Sequence, residues 1–175
     1  MKSELRYGII GAGSMGREHI ENIKVMGGAT VTAISDPHAP SQEATLAMVP
    51  GATVFTDHRA LLESCLVDAV VIATPNDTHA AVLKDALESD IAVFVEKPLA
   101  TTVEDLKSIL AWDEKRSAMT WMGLEYRSMP PVAEAIARAK EGEAGKIHQV
   151  SIREHREPFY PKVDNWNRFA ERTGG

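Results

Sequence analysis

The chain has 175 residues, a length that suits one domain of ordinary size with its own core and leaves too little for two full ones. With 44% hydrophobic and 25% charged residues it is neither disordered nor collagen-like in composition. Nineteen Lys and Arg against twenty-five Asp and Glu give a net charge of −6, which repels nucleic-acid phosphates and anionic lipid surfaces. No basic domain hides in that average, since residues 1–100 carry 7 basic and 13 acidic side chains and residues 101–175 carry 12 of each. The single cysteine, Cys65, has no internal disulfide partner and reads as a small buried apolar residue in a reducing compartment. No window resembles a secretion signal or approaches the roughly 20 apolar residues of a membrane span, so the expected address is the cytoplasm.

In chain order, Leu5 to Ile10, Thr30 to Ile34, Ala52 to Phe55, Ala69 to Ala73, Ile91 to Val95 and Ala118 to Met122 read as strands separated by stretches of helical period. Among the helices, one begins near Asn76 and carries Val82, Leu83, Ala86 and Leu87 on one face. Another opens at Thr101-Thr102-Val103-Glu104, a capping box ahead of Leu106, Ile109 and Leu110. This alternation predicts a doubly wound α/β fold with a parallel sheet, whose ligands bind at the carboxyl ends of the strands. Beyond Gly123 the rhythm changes. Pro130-Pro131 precede a helix with Val132, Ala135, Ile136 and Ala139 that stops at Gly142 and Gly145. Lys146 to Arg156 partly alternates and reads as a half-buried strand, yet a lone strand needs partners and no later strand exists to supply them. The expected division is a doubly wound domain over residues 1–123 and the opening of an incomplete second domain over 124–175.

The chemistry concentrates at predicted strand ends. Gly11-Ala12-Gly13-Ser14-Met15-Gly16 follows the first strand and opens a helix. There Gly11 allows the tight turn, Gly13 the approach of a pyrophosphate, and Gly16 the close packing of helix on strand. Twenty positions after Gly16, at the end of the second strand, Asp36 can accept both hydroxyls of an adenosine ribose. A carboxylate there repels a 2′-phosphate, and no Arg follows closely, so NAD is expected over NADP. Thr74-Pro75-Asn76-Asp77-Thr78-His79 ends the fourth strand and Glu96-Lys97-Pro98 the fifth. Lys97 can serve in proton transfer or sit as a solvated charge paired with Glu96, while Asn76 and His79 can line the crevice or merely cap a helix.

Gly11-x-Gly13-x-x-Gly16 with His19, Thr74-Pro75-Asn76-x-x-His79 and Glu96-Lys97-Pro98 together resemble the Gfo/Idh/MocA oxidoreductases in order and approximate spacing. Gly123-Leu124-Glu125-Tyr126-Arg127 and Asn165-Trp166-Asn167-Arg168-Phe169 extend the resemblance over essentially the whole chain. The resemblance implies that Lys97 reaches the nicotinamide ribose and a substrate hydroxyl, that Lys97-Pro98 is often cis, and that Thr74 to His79 lines the nicotinamide side. It further implies a substrate pocket bordered by Tyr126 and Arg127, with Trp166 in a crossing segment near cofactor and substrate. No role follows for His19 beyond helix packing.

Members of that family continue into a large antiparallel sheet that forms the substrate pocket and dimer interface and carries an acidic residue and a proton-transferring His. Here the sequence stops at Gly174-Gly175, and His148, His155 and Asp164 read as surface polar residues rather than substitutes. The resulting expectation is the cofactor-binding half of an NAD-dependent oxidoreductase acting on a polyol, sugar or sugar derivative, a homo-oligomer when complete, with no metal, nucleic-acid or membrane partner. The rival expectation is a non-enzymatic NAD(P)-binding regulatory or partner-binding module, in which the edge near Lys146 to Arg156 pairs with a second chain.

Overall fold

Six short apolar runs form one parallel sheet: β1 (Leu5–Ile10), β2 (Ala29–Ser35), β3 (Thr53–Phe55), β4 (Ala69–Ile72), β5 (Ala92–Glu96) and β6 (Thr120–Gly123). The computed structural model describes residues 4–155, 158 and 161–174. Strand order is β3-β2-β1-β4-β5-β6, the doubly wound dinucleotide-binding order in which the sequence reverses direction between β1 and β4. Each strand lies within two residues of its predicted bounds.

Burial on both faces explains why the central strand β4 reads as a continuous apolar run rather than an alternating one. In β4 every residue is buried: Val70 and Ile72 enter the core shared with Leu83, Leu87 and Ile109, and Val71 enters the opposite core with Ile20 and Ile34. The first core is covered by α3 (His58–Glu63), α4 (His79–Leu87) and α5 (Val103–Asp113), and the second by α1 (Ser14–Met26). Val31 and Ile34 share the second core although three residues apart, because a register shift opposite Tyr7 and Gly8 leaves Thr32 as an extra residue in β2. Thr32 Oγ1 donates to the Leu66 carbonyl at 2.7 Å, which occupies its hydroxyl.

The chain divides into two units, Met1–Gly123 with Lys162–Gly175, and Leu124–Pro161. Residues 162–174 therefore group with the sheet, whereas the sequence assigned all of 124–175 to one continuing domain. In the second unit α6 (Pro130–Lys140) starts on its proline pair and ends before Gly142, as its composition dictates.

Three expectations are corrected. The strand predicted over Lys146 to Arg156 is absent among the described residues. Ile147, Val150 and Ile152 are exposed, because their alternation has no partner strand to pair with, and Arg156 lies outside the described residues. Cys65 is exposed, at φ 56° in the turn before β4, where its carbonyl accepts from Arg6 Nη1 at 2.9 Å. The cap of α5 is Thr102 rather than Thr101: its Oγ1 accepts from the Asp105 amide at 3.1 Å and donates to the Asp105 carboxylate at 2.8 Å, so the box is shifted by one residue. Among the described residues no helix is long and apolar enough to cross a membrane, and no cluster of His, Cys, Asp and Glu is arranged for a metal ion.

Candidate functional site

The loop between β1 and α1 is shaped by its glycines in three different ways. Gly11 has φ 95°, and a Cβ there would fall 2.6 Å from the Ala73 backbone, just past the end of the neighbouring strand β4. A Cβ on Gly16 would fall 2.0 Å from the Gly11 carbonyl oxygen, so helix and loop touch only because it is missing. Gly13 has an ordinary extended backbone, and a Cβ on it would meet nothing within 4 Å. The protein's own packing thus requires the first and third glycines. The second faces open space at the mouth of α1, whose first turn no side chain caps.

Beside this opening, Ala12 is fully buried, and its amide donates to Asp36 Oδ2 at 2.8 Å while its carbonyl accepts from Thr45 Oγ1 and Arg17 Nη1, each at 2.9 Å. Asp36 Oδ1 accepts from the His38 amide at 2.8 Å. Each carboxylate oxygen therefore takes one backbone N–H and keeps a lone pair for further donors, while the whole group is fixed at the end of β2. A clear approach over Gly13, an uncapped helix mouth and an anchored carboxylate at the end of the second strand fit the pyrophosphate and ribose of a dinucleotide.

Two more loops complete the carboxyl edge. After β4, Thr78 Oγ1 bridges Thr74 Oγ1 at 2.8 Å and the Pro75 carbonyl at 2.7 Å. A single 3-10 turn over Asn76–Thr78 then leads into α4. His79 is fully buried at the start of α4, with Nδ1 2.6 Å from the Pro98 carbonyl and Nε2 3.0 Å from the Thr74 carbonyl. It has no surface to offer a ligand in this geometry and instead ties the β4 loop to the β5 loop. Asn76 does not cap the helix either: its Nδ2 donates to the Thr173 carbonyl at 3.2 Å.

The β5 loop contains the cis Lys97-Pro98 bond that the resemblance implied. Glu96 is nearly covered, and its Oε1 lies 2.8 Å from His19 Nε2, which also meets the Phe94 ring edge-on at 5.0 Å. Burial pushes the Glu96 carboxyl upward, but the hydrogen bond and charge of His19, with the Lys97 amide and charge, outweigh it and hold the group below the usual range. Lys97 touches Glu96 through its backbone amide at 3.3 Å. Its ammonium makes no ion pair among the described residues and stands exposed at the crevice.

Residues 162–174 run along the same edge. Lys162 Nζ donates to Ser14 Oγ at the start of α1, and Arg172 Nε pairs with Asp77 Oδ2 at 2.9 Å at the far end. Trp166 lies half-buried between them, in a turn where Asp164 and Asn165 adopt positive φ. Tyr126 and Arg127 stand in the second unit, on a 3-10 turn over Glu125–Ser128, with the Tyr126 hydroxyl donating to Glu154. The sheet thus gathers Gly11 to Gly16, Asp36, Thr74 to Asn76 and Glu96 to Pro98 at one edge. The sequence did not reveal Lys162, the partnership of His19 with Glu96, or the bridging role of His79, because no local pattern marks pairings across such separations.

A doubly wound sheet with this loop chemistry has the architecture of the dinucleotide-binding fold. Residues 5–124 match the Gfo/Idh/MocA model, described as an oxidoreductase family with an NAD-binding Rossmann fold, and the chain belongs to that family. It is 36% identical over 156 residues to inositol 2-dehydrogenase 2 of Paenarthrobacter aurescens, covering 84% of this chain and 46% of that protein. The myo-inositol dehydrogenase of Lactobacillus casei, solved with NAD(H) and myo-inositol, superposes with a TM-score of 0.76 at 32% identity over 79% of this chain and 42% of its own. A levoglucosan dehydrogenase solved with NADH and levoglucosan superposes with a TM-score of 0.74 at 27% identity over 81% and 40%. The matched part of the chain covers less than half the length of each of these three proteins.

Proposed function

We propose that this chain is the cofactor-binding part of an NAD-dependent oxidoreductase that acts on a secondary hydroxyl of a polyol, sugar or sugar derivative. The observation that carries the reading is the Asp36 carboxylate, fixed by the Ala12 and His38 amides beside the open face of Gly13. A bound nicotinamide dinucleotide supplies the hydride acceptor. The protein's part is orientation: Gly11 to Gly16, including Ala12, Ser14 and Met15, receive the diphosphate, and Asp36 receives the adenosine ribose. Thr74, Pro75, Asn76 and Pro98 form the wall toward the nicotinamide. His79 and Glu96 hold that wall's loops in place from beneath. Lys97, exposed at the end of β5, orients the nicotinamide ribose and the reacting hydroxyl, and Tyr126, Arg127 and Trp166 belong to the substrate side.

The family and the ligands named for its solved relatives support the reaction class and the polyhydroxylated substrate. The preference for NAD over NADP rests on charge, since a fixed carboxylate both accepts ribose hydroxyls and repels a 2′-phosphate. Asp36→Ser tests it by calorimetry. NAD affinity should fall about tenfold while NADP changes less, the loss corresponding to one or two hydrogen bonds to a charged group. Unchanged NAD affinity in a folded variant would overturn the assignment of Asp36.

A further inference from the structure

We propose that Lys162 is a cofactor-binding residue, carried by the returning segment to the mouth of α1, where it meets the diphosphate of the dinucleotide. The inference rests on the reading of this crevice as the NAD site and adds to it a residue 146 positions beyond the last glycine of the loop. Lys162 Nζ donates to Ser14 Oγ, at the first residue of α1 and one position from Gly13, whose outer face is open. The Lys162 side chain is half-buried, so its ammonium has given up part of its water for a neutral hydroxyl. Arg17, held by the Ala12 carbonyl at 2.9 Å, and Lys97 both act on it electrostatically, and Glu18 opposes them.

Burial, then the charges of Arg17 and Lys97, push the Lys162 ammonium below its ordinary range, while Glu18 pulls the other way. Lys162 on Ser14 and Arg17 on the Ala12 carbonyl put two cations beside one uncapped helix mouth, poorly placed for each other and well placed for an anion of more than one charge. The segment that carries Lys162 is also anchored at its other end. Arg172 pairs with Asp77 at 2.9 Å, and the Thr173 carbonyl accepts from Asn76 at 3.2 Å. The segment therefore touches the glycine loop and the β4 loop together, which sets the lysine in place before a ligand arrives.

Titration of the whole chain with NAD, ADP-ribose and adenosine, in wild type, Lys162→Met and Lys162→Arg, separates the contributions. In Lys162→Met, NAD and ADP-ribose should both bind about tenfold more weakly and lose part of their salt dependence, adenosine should be unaffected, and Lys162→Arg should recover most of the loss. Equal binding of ADP-ribose by Lys162→Met and wild type would overturn the proposal while leaving the NAD site standing. A matching loss for adenosine would also overturn it, by assigning Lys162 a purely structural role. Failure of the wild type to bind NAD or ADP-ribose would instead remove the NAD site and Lys162's role with it.

Discussion

At the scale of single residues, the three glycines of the loop separate folding from binding. Gly16→Ala forces a Cβ to within 2.0 Å of the Gly11 carbonyl oxygen, a backbone atom that cannot move aside alone. It should cost about 3 kcal/mol or more in urea unfolding. Gly13→Ala adds a Cβ where nothing lies within 4 Å, on a backbone that any residue adopts. Its stability should stay within about 1 kcal/mol of wild type while dinucleotide affinity drops. A Gly13→Ala protein that binds as well as wild type would show that the open face receives no ligand. His19 gives a second residue-level test. Glu96 is held below the ordinary carboxyl range by His19 although burial alone would raise it, so His19→Ala should move the Glu96 titration upward in carboxyl NMR. Because the folded group is depressed, the pair's contribution to stability is present at neutral pH and lost as pH falls through the acid range, and His19→Ala should flatten that part of the stability profile. A Glu96 titration unmoved by the substitution would exclude the pair as its cause.

At the scale of elements, the central strand β4 was the most legible because burial on both faces leaves Ala69–Ile72 as an unbroken apolar run, and the other strands were marked by short, mostly apolar segments between stretches of helical period. Lys146 to Arg156 misled for the complementary reason. Alternation describes one strand's faces and says nothing of a neighbour, and the described part of that stretch has no neighbour to pair with. The start of α5 was legible to within one residue, since Thr101 and Thr102 each stand three residues before an acidic side chain and only the folded backbone chooses between them. Thr102→Ala should therefore cost about 1 kcal/mol in thermal or urea unfolding, and Thr101→Ala less than about 0.5 kcal/mol. The reverse order would return the cap to Thr101.

At the scale of the whole molecule, the candidate site divides by sequence separation. The glycine loop and the motifs ending β2, β4 and β5 were legible because each joins a local pattern to a strand end, and the sheet order brings those ends to one edge. His19 with Glu96, 77 residues apart, and Lys162 with Ser14, 148 residues apart, were not, because only the folded sheet and the returning segment bring them together. Lys162–Gly175 groups with the first unit, beside the edge proposed to bind the dinucleotide, so on that proposal cofactor binding should be a property of this chain. The most direct measurement is a calorimetric titration of the purified chain with NAD and, in parallel, with NADP. Saturable binding of NAD, with NADP at least several-fold weaker, is the expected result. Binding of neither would contradict the dinucleotide site itself, and tighter binding of NADP would contradict the role of Asp36.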